Sequence, residues 1–219
     1  LPCIGCTQPG KWHCYDVWQH SAAAVQALDL RGQDTRGVRV LCWAAFLHDI
    51  AKPQCRTVGP DGAAQFKGHN QRGAQAARTI LRRLKAPAYL TDGAVGLIAV
   101  HDAPLPADDA GILKLLNRSG AIFLRRLCVL KYADLDAHAA TPEVAARRAE
   151  VERFACRMDE LAKTGCYTMR QLAVNGADLM DAGIPAGPGV GATLQTLLTA
   201  VMEGRLPNER EALLEAATV

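Results

Sequence analysis

His48 and Asp49 close an apolar run in the segment FLHDIAKP, residues 46–53, and Lys52 follows three positions later. Burying an imidazole or a carboxylate without a partner costs a few kcal/mol. The chain offers partners. His20 falls on the apolar stripe of Val17, Ala24, Ala27 and Leu28. His69 opens a later helical segment, and His101 stands one turn after Leu97 and Ile98. Asp134, four residues after Leu130 and seven after Leu127, shares their buried face. Taken singly, each reads as a core histidine, a cap or an ion-pair partner. Together, five segments each turn a polar group inward, and one turns two. Helical bundles build metal centres from facing helices in this way. Imidazole with carboxylate suits Mn, Fe, Co, Ni or Zn better than Ca.

The elements that must position these groups read almost entirely as helix. YDVWQHSAAAVQALDL has Asp16 as its cap. GVRVLCWAAFLHDIAK is apolar on nearly every side, as a central helix is, and Pro53 is expected to end it. Gly59-Pro60-Asp61-Gly62 marks a turn between short extended pieces, so a small hairpin or ordered loop is expected over 54–67. Helical patterns resume over GHNQRGAQAARTILRRL, YLTDGAVGLIAVH, AGILKLLNRSG and AIFLRRLCVLKYADLDAH. A long amphipathic helix opens at Thr141-Pro142, with Val144, Val151, Phe154, Met158 and Leu161 on its apolar face. At Gly165 the composition shifts to short helices separated by glycine and proline. The expected architecture is all-α, with a helical domain over 1–165, including the small insertion, and a helical tail over 166–219.

Composition sets the outer limits. With 219 residues, 49% hydrophobic and 21% charged, the chain can bury a core and is not of a disordered class. A net charge of +3 permits an RNA partner without demanding one. No apolar run reaches membrane-spanning length and no signal peptide opens the chain, so a cytoplasmic protein is expected. The chain opens on Leu rather than Met, as a piece of a longer protein would. The eight cysteines are scattered and read as free thiols. Cys3 and Cys6, with His13 and Cys14, are the one combination that could form a small zinc site, although the second pair lacks the usual spacing.

The order His…His-Asp…His…His…Asp resembles the HD superfamily of metal-dependent phosphohydrolases. The resemblance implies that His20, His48, Asp49 and Asp134 hold one divalent ion. It implies that His69 and His101 hold a second, with Asp49 bridging. Lys52 would meet a phosphate oxygen, whereas its plain reading is a cation at a helix C-terminus. The implied cofactor is one or two ions of Mn, Fe, Co, Ni, Zn or Mg. The implied activity is hydrolysis of a nucleotide or RNA-end phosphoester, with Asp49 and Lys52 as the catalytic pair.

A second resemblance covers nearly the whole chain. WHCYDVWQHSAAAV, AAFLHDIAKP, FKGHNQRGAQAARTILRRLK, VHDAPL and LAVNGADLMDAGIPAGPGVGATLQTLLTAVMEGRLPNEREALL are similar to the C-terminal half of bacterial CCA-adding tRNA nucleotidyltransferases. These 219 residues contain neither the strands nor the carboxylate pair of the nucleotidyltransferase head of those enzymes. The resemblance therefore implies the HD body and tail, and an alternative function: a tRNA-binding body without catalysis of its own. Arg78, Arg82, Arg83 and Lys85, and then Arg125, Arg126 and Lys131, are basic runs that suit tRNA or simply a solvated face. GPGVGATL, residues 187–194, is not a P-loop, since no Lys-Ser/Thr follows the glycines. It reads as a helix start, whose free N–H groups the resemblance assigns to the tRNA backbone.

Overall fold

The computed structural model describes residues 2–7, 15–59 and 64–218. Among the described residues there are eleven α-helices and a single two-stranded sheet, and the fold is all-α. Among the described residues no helix is long and apolar enough to cross a membrane. The described cysteines are all free thiols. The combination of Cys3 and Cys6 with His13 and Cys14 falls partly outside the described residues.

The chain divides into two compact units, Leu1–Leu105 with Arg125–Glu152, and Pro106–Leu124 with Arg153–Val219. The first contains α1 (Val17–Gln26), α2 (Thr35–Leu47), α3 (Lys52–Cys55), α4 (His69–Arg83) and α5 (Ala88–Val100). It also contains most of α7 (Ala121–Asp136) and the start of α8 (Pro142–Thr164). Asp16 caps α1 in a reciprocal box with Gln19, and Asp34 caps α2 by accepting from the Gly37 amide. Each such cap contributes about 1 kcal/mol. The unit's core is Leu41, Ala44, Ala45, Ala77, Leu81, Leu97, Ile98, Leu127 and Leu130, all essentially buried.

The insertion contains a minimal two-stranded sheet, and all but Gly59 of the expected turn Gly59-Pro60-Asp61-Gly62 lies outside the described residues. β1 (Thr57–Val58) pairs antiparallel with β2 (Ala64–Gln65), with Thr57 opposite Gln65. Gly68 then takes the left-handed conformation, at φ 76°, immediately before α4. That turn makes His69 the first residue of the helix. Gly73, one turn later, lets α4 close on the preceding segment. A Cβ at Gly73 would stand 3.3 Å from the His48 carbonyl oxygen.

The apolar helix does not run to Pro53. It ends at Leu47, with His48 as its C-cap, and a turn over 48–51 leads into the separate short α3. Pro53 sits in the first turn of α3, where its missing N–H removes nothing from the ladder. His48 and Asp49 therefore occupy a turn between two helices, which frees both side chains from helical stacking.

The second unit contains α6 (Asp109–Ser119), the rest of α8, α9 (Gly176–Asp181), α10 (Pro188–Met202) and α11 (Arg210–Thr218). Ile112, Leu116, Met158, Leu179, Leu198 and Leu213 form its buried centre. α10 starts at Pro188 after Gly187, the helix start expected for residues 187–194.

Candidate metal centre

The six proposed donors come from five places in the first unit. His20 projects from the middle of α1, His48 and Asp49 from the turn after α2, and His69 from the first position of α4. His101 caps α5, and Asp134 lies near the end of α7. All six converge. His20, His48, Asp49 and His101 are at most 4% exposed, His69 is 9% exposed, and the Asp134 side chain is 23% exposed.

Their donor atoms form two sets. In the first, His20 Nε2 lies 2.8 Å from Asp134 Oδ1 and 3.3 Å from His48 Nε2. His48 Nε2 lies 3.2 Å from Asp49 Oδ2 and 3.4 Å from Asp134 Oδ1, and His20 Nε2 lies 3.7 Å from Asp49 Oδ2. In the second, His69 Nε2 lies 3.3 Å from His101 Nε2 and 3.4 Å from Asp49 Oδ1, and His101 Nε2 lies 3.8 Å from that oxygen. Bonds of about 2.0–2.2 Å to one ion place its donors roughly 3–3.5 Å apart. The observed separations are close to that range. Asp49 turns one oxygen to each set.

Ring orientation makes the same point more sharply. The Nδ1 atoms of His48, His69 and His101 lie 2.7, 2.9 and 2.8 Å from the carbonyl oxygens of Ala45, Phe66 and Ile98. His20 Nδ1 is 3.3 Å from the Ala137 carbonyl. A carbonyl only accepts, so each Nδ1 donates its N–H. A neutral ring then carries its lone pair on Nε2. Two pairs of such nitrogens face each other at 3.3 Å, an arrangement that is repulsive unless a proton or a cation lies between them. Metal-binding histidines fix their tautomer by this same contact to a carbonyl. Neither Asp49 oxygen takes part in a hydrogen bond. Lys52 Nζ, 2.6 Å from Oδ2, offsets the charge without a directional bond. The donor set fits a divalent ion.

The electrostatics of the centre are uneven. Burial disfavours the His48 cation, but the charge of the Asp49 carboxylate and the hydrogen bond to Asp134 outweigh it and push His48 up to about 10. Burial alone would raise Asp49, yet the charges of His48 and Lys52 hold it well below the usual carboxylate range. Asp134 is opposed by burial in the same way and is held well down by its contacts with His20 and with the His48 cation. His101 goes the other way. Burial, followed by repulsion from His48, lowers it to about 4.

Two neighbours escape the sequence pattern. Asp102 Oδ2 lies 3.9 Å from His69 Nε2, and Asp102 accepts from Asn70. His138 stacks edge-on against His20, with ring centroids 4.7 Å apart. Both could be suspected from spacing, Asp102 as the residue after His101 and His138 as the residue one helical turn beyond Asp134. The second basic run also reads differently in three dimensions. Lys131 is partly buried and donates to the Ala103 carbonyl at 2.7 Å, while Arg126 pairs with Asp34.

Similarity to known proteins follows the same helices. A family model for tRNA nucleotidyltransferase domain 2 matches residues 70–217. An A-adding tRNA nucleotidyltransferase of Deinococcus radiodurans is 33% identical over 95% of this chain and 47% of its own length. A CC-adding tRNA nucleotidyltransferase of Thermus thermophilus is 33% identical over 95% of this chain and 46% of its own. A CCA-adding enzyme of Levilactobacillus brevis is 51% identical over a shorter stretch, 23% of this chain and 13% of its own. The chain thus spans about half the length of the two relatives that it matches from end to end. It belongs to the tRNA nucleotidyltransferase domain 2 family.

Proposed function

We propose that this chain forms the tRNA-engaging helical body and tail of a tRNA nucleotidyltransferase. The observation that carries the reading is similarity to an A-adding and a CC-adding enzyme along 95% of the chain. Exposed Arg82, Arg83 and Lys85 at the end of α4 suit phosphate contacts. The backbone amides at the start of α10 offer a further place for a phosphate. Fluorescence titration of labelled tRNA tests the reading. The expected result is salt-dependent binding that weakens about tenfold, with a log–log salt slope smaller by about two, in Arg82→Glu/Arg83→Glu. Binding that ignores both salt and these charges would remove the reading.

The donor geometry favours a second activity on the same chain: metal-dependent hydrolysis of a nucleotide or RNA-end phosphoester. The paired Nε2 atoms and the two unsatisfied oxygens of Asp49 support it. His20, His48, Asp49 and Asp134 would hold one divalent ion, and His69, His101 and Asp49 a second. Such ions supply Lewis acidity and a bound water that ionises near neutral pH. The protein's own part is to hold Asp49 ionised and to place a cation beside it. Lys52 Nζ sits between Asp49 and the Phe66 ring, 5.6 Å from its centroid. There it can meet a phosphate oxygen as a point charge. Elemental analysis, followed by a phosphoester panel with Mn, Co and Ni, tests this activity. Turnover that requires metal and disappears in Asp49→Ala supports it. A loaded centre without turnover leaves only the tRNA-engaging body.

A further inference from the structure

His138 lies outside the ligand pattern, yet it shares the geometry of the ligands. Its Nδ1 is 2.7 Å from the Asp134 carbonyl and so donates to it. The same contact to a carbonyl orients His48, His69 and His101. His138 is partly buried, with 13% of its side chain exposed. A nitrogen of its ring lies within 4.8 Å of donor atoms of both His20 and Asp134. The end of α7 and the turn after it therefore bring a carboxylate and an imidazole, four residues apart, to the His20 ring.

We propose that His138 is a seventh donor of the centre, and that with His20 and Asp134 it forms a third position for a transition-metal ion. The inference rests on the metal-centre reading above. The third position shares His20 Nε2 with the His20–His48–Asp49 set, and one lone pair binds one ion at a time. The two positions are therefore alternatives. An ion displaced from His48 and Asp49 can move outward to His138 without leaving the centre. Nitrogen-rich donors of this kind favour Co, Ni, Cu or Zn over Mg and Ca.

Co(II) titration of the full chain, followed by its visible absorption, tests this. Four proteins are compared after circular dichroism shows that they are folded: the unaltered chain, His48→Ala, His138→Gln and the double variant. The expected result is that His48→Ala still holds an ion near His20, with an altered spectrum. The double variant should bind that ion at least about tenfold more weakly than His48→Ala. Equal affinity of the single and double variants would overturn the proposal. If His48→Ala does not fold, His48→Gln and His48→Gln/His138→Gln take the places of the single and double variants, and the same comparison of Co(II) affinity decides. An unaltered chain that takes up no Co(II) fails the metal-centre reading itself. Uptake without any contribution from His138 fails this inference alone.

Discussion

The two donor sets share Asp49 and little else. The first adds two imidazoles and a second carboxylate, Asp134. The second adds two imidazoles only, and one of them, His69, is the most exposed of the four. Two carboxylates attract a divalent ion far more strongly than one at this depth, where water screens little. Yet the metal-free chain spends a proton at the first set, on His48, whereas His101 in the second set is neutral at neutral pH. The first set thus offers the stronger attraction but must release a proton from His48, whereas His101 in the weaker second set has none to release. Occupancy should follow that order, the first ion binding tightly and the second loosely.

The comparison breaks most completely in Asp49→Ala. One substitution removes Oδ1 from one set and Oδ2 from the other, and takes from Lys52 its Asp49 partner. Metal content measured after dialysis should fall to background for both ions. Thermal unfolding of the metal-free protein should change less, because the lost carboxylate was itself costly to bury. Full metal content in this variant would place the centre elsewhere. Asp134→Asn should separate the sets. It keeps the shape but removes a charge and an anionic donor, so the first ion should weaken by about a hundredfold or more while the second stays within a few-fold. His101→Ala should do the converse, with loss of the second ion and an unaltered first. Isothermal titration that showed both ions weakening together in His101→Ala would mean that the sets are not separable.

Proton release sharpens the difference without a mutation. His48 stays protonated in the metal-free chain up to about pH 10, and a metal ligand must be neutral. Binding of the first ion near pH 7 should therefore expel about one proton, and its apparent affinity should rise as pH rises. The second ion meets neutral His101, so that ligand should release no proton. Titration in weakly buffered solution reads both quantities directly.

Much of this centre was legible in the sequence because each donor occupies a position that sequence patterns mark. His20 and Asp134 interrupt apolar stripes, and His48, His69 and His101 stand at helix ends, where a side chain escapes the stacking of its own helix. All six residues meet in the structure. The end of α2 was not legible. An apolar run that continues past Leu47 gives no sign that His48 and Asp49 form a turn, and Pro53 fits the start of a helix as well as its stop. His138 was missed because it closes the helical pattern AIFLRRLCVLKYADLDAH, beyond the apolar positions that mark its buried face. Lys131 was misread for the opposite reason. It follows two arginines and looks solvated, but the carbonyl that it caps, Ala103, belongs to a segment 28 residues away. The family match begins at residue 70, so it covers His101 and Asp134 but not His20, His48, Asp49 or His69. For those four, position and geometry carry the proposal.

The smallest expected effect, and the only one of opposite sign, belongs to Lys52→Gln. Lys52 Nζ lies 2.6 Å from Asp49 Oδ2, the oxygen that faces the first set. A fixed cation there competes with the ion for the same charge. Two unit charges about 4 Å apart in an environment of effective dielectric near 20 interact by about 4 kcal/mol. Much of this is recovered, because the flexible stem lets the ammonium move away and water then solvates it. The residual penalty should be about 1 kcal/mol, so first-set affinity should rise by roughly fivefold in Lys52→Gln. The second set, bound to the other oxygen, should gain less. Phosphoester turnover, if the loaded chain shows it, should fall, since the cation for the phosphate is gone while the metal is held more firmly. Affinity and turnover moving in opposite directions would assign Lys52 to the substrate. A fall in both would make it a brace for Asp49, which the side chain of Lys52→Gln can no longer neutralise, and would then place Lys52 among the residues that build the first set.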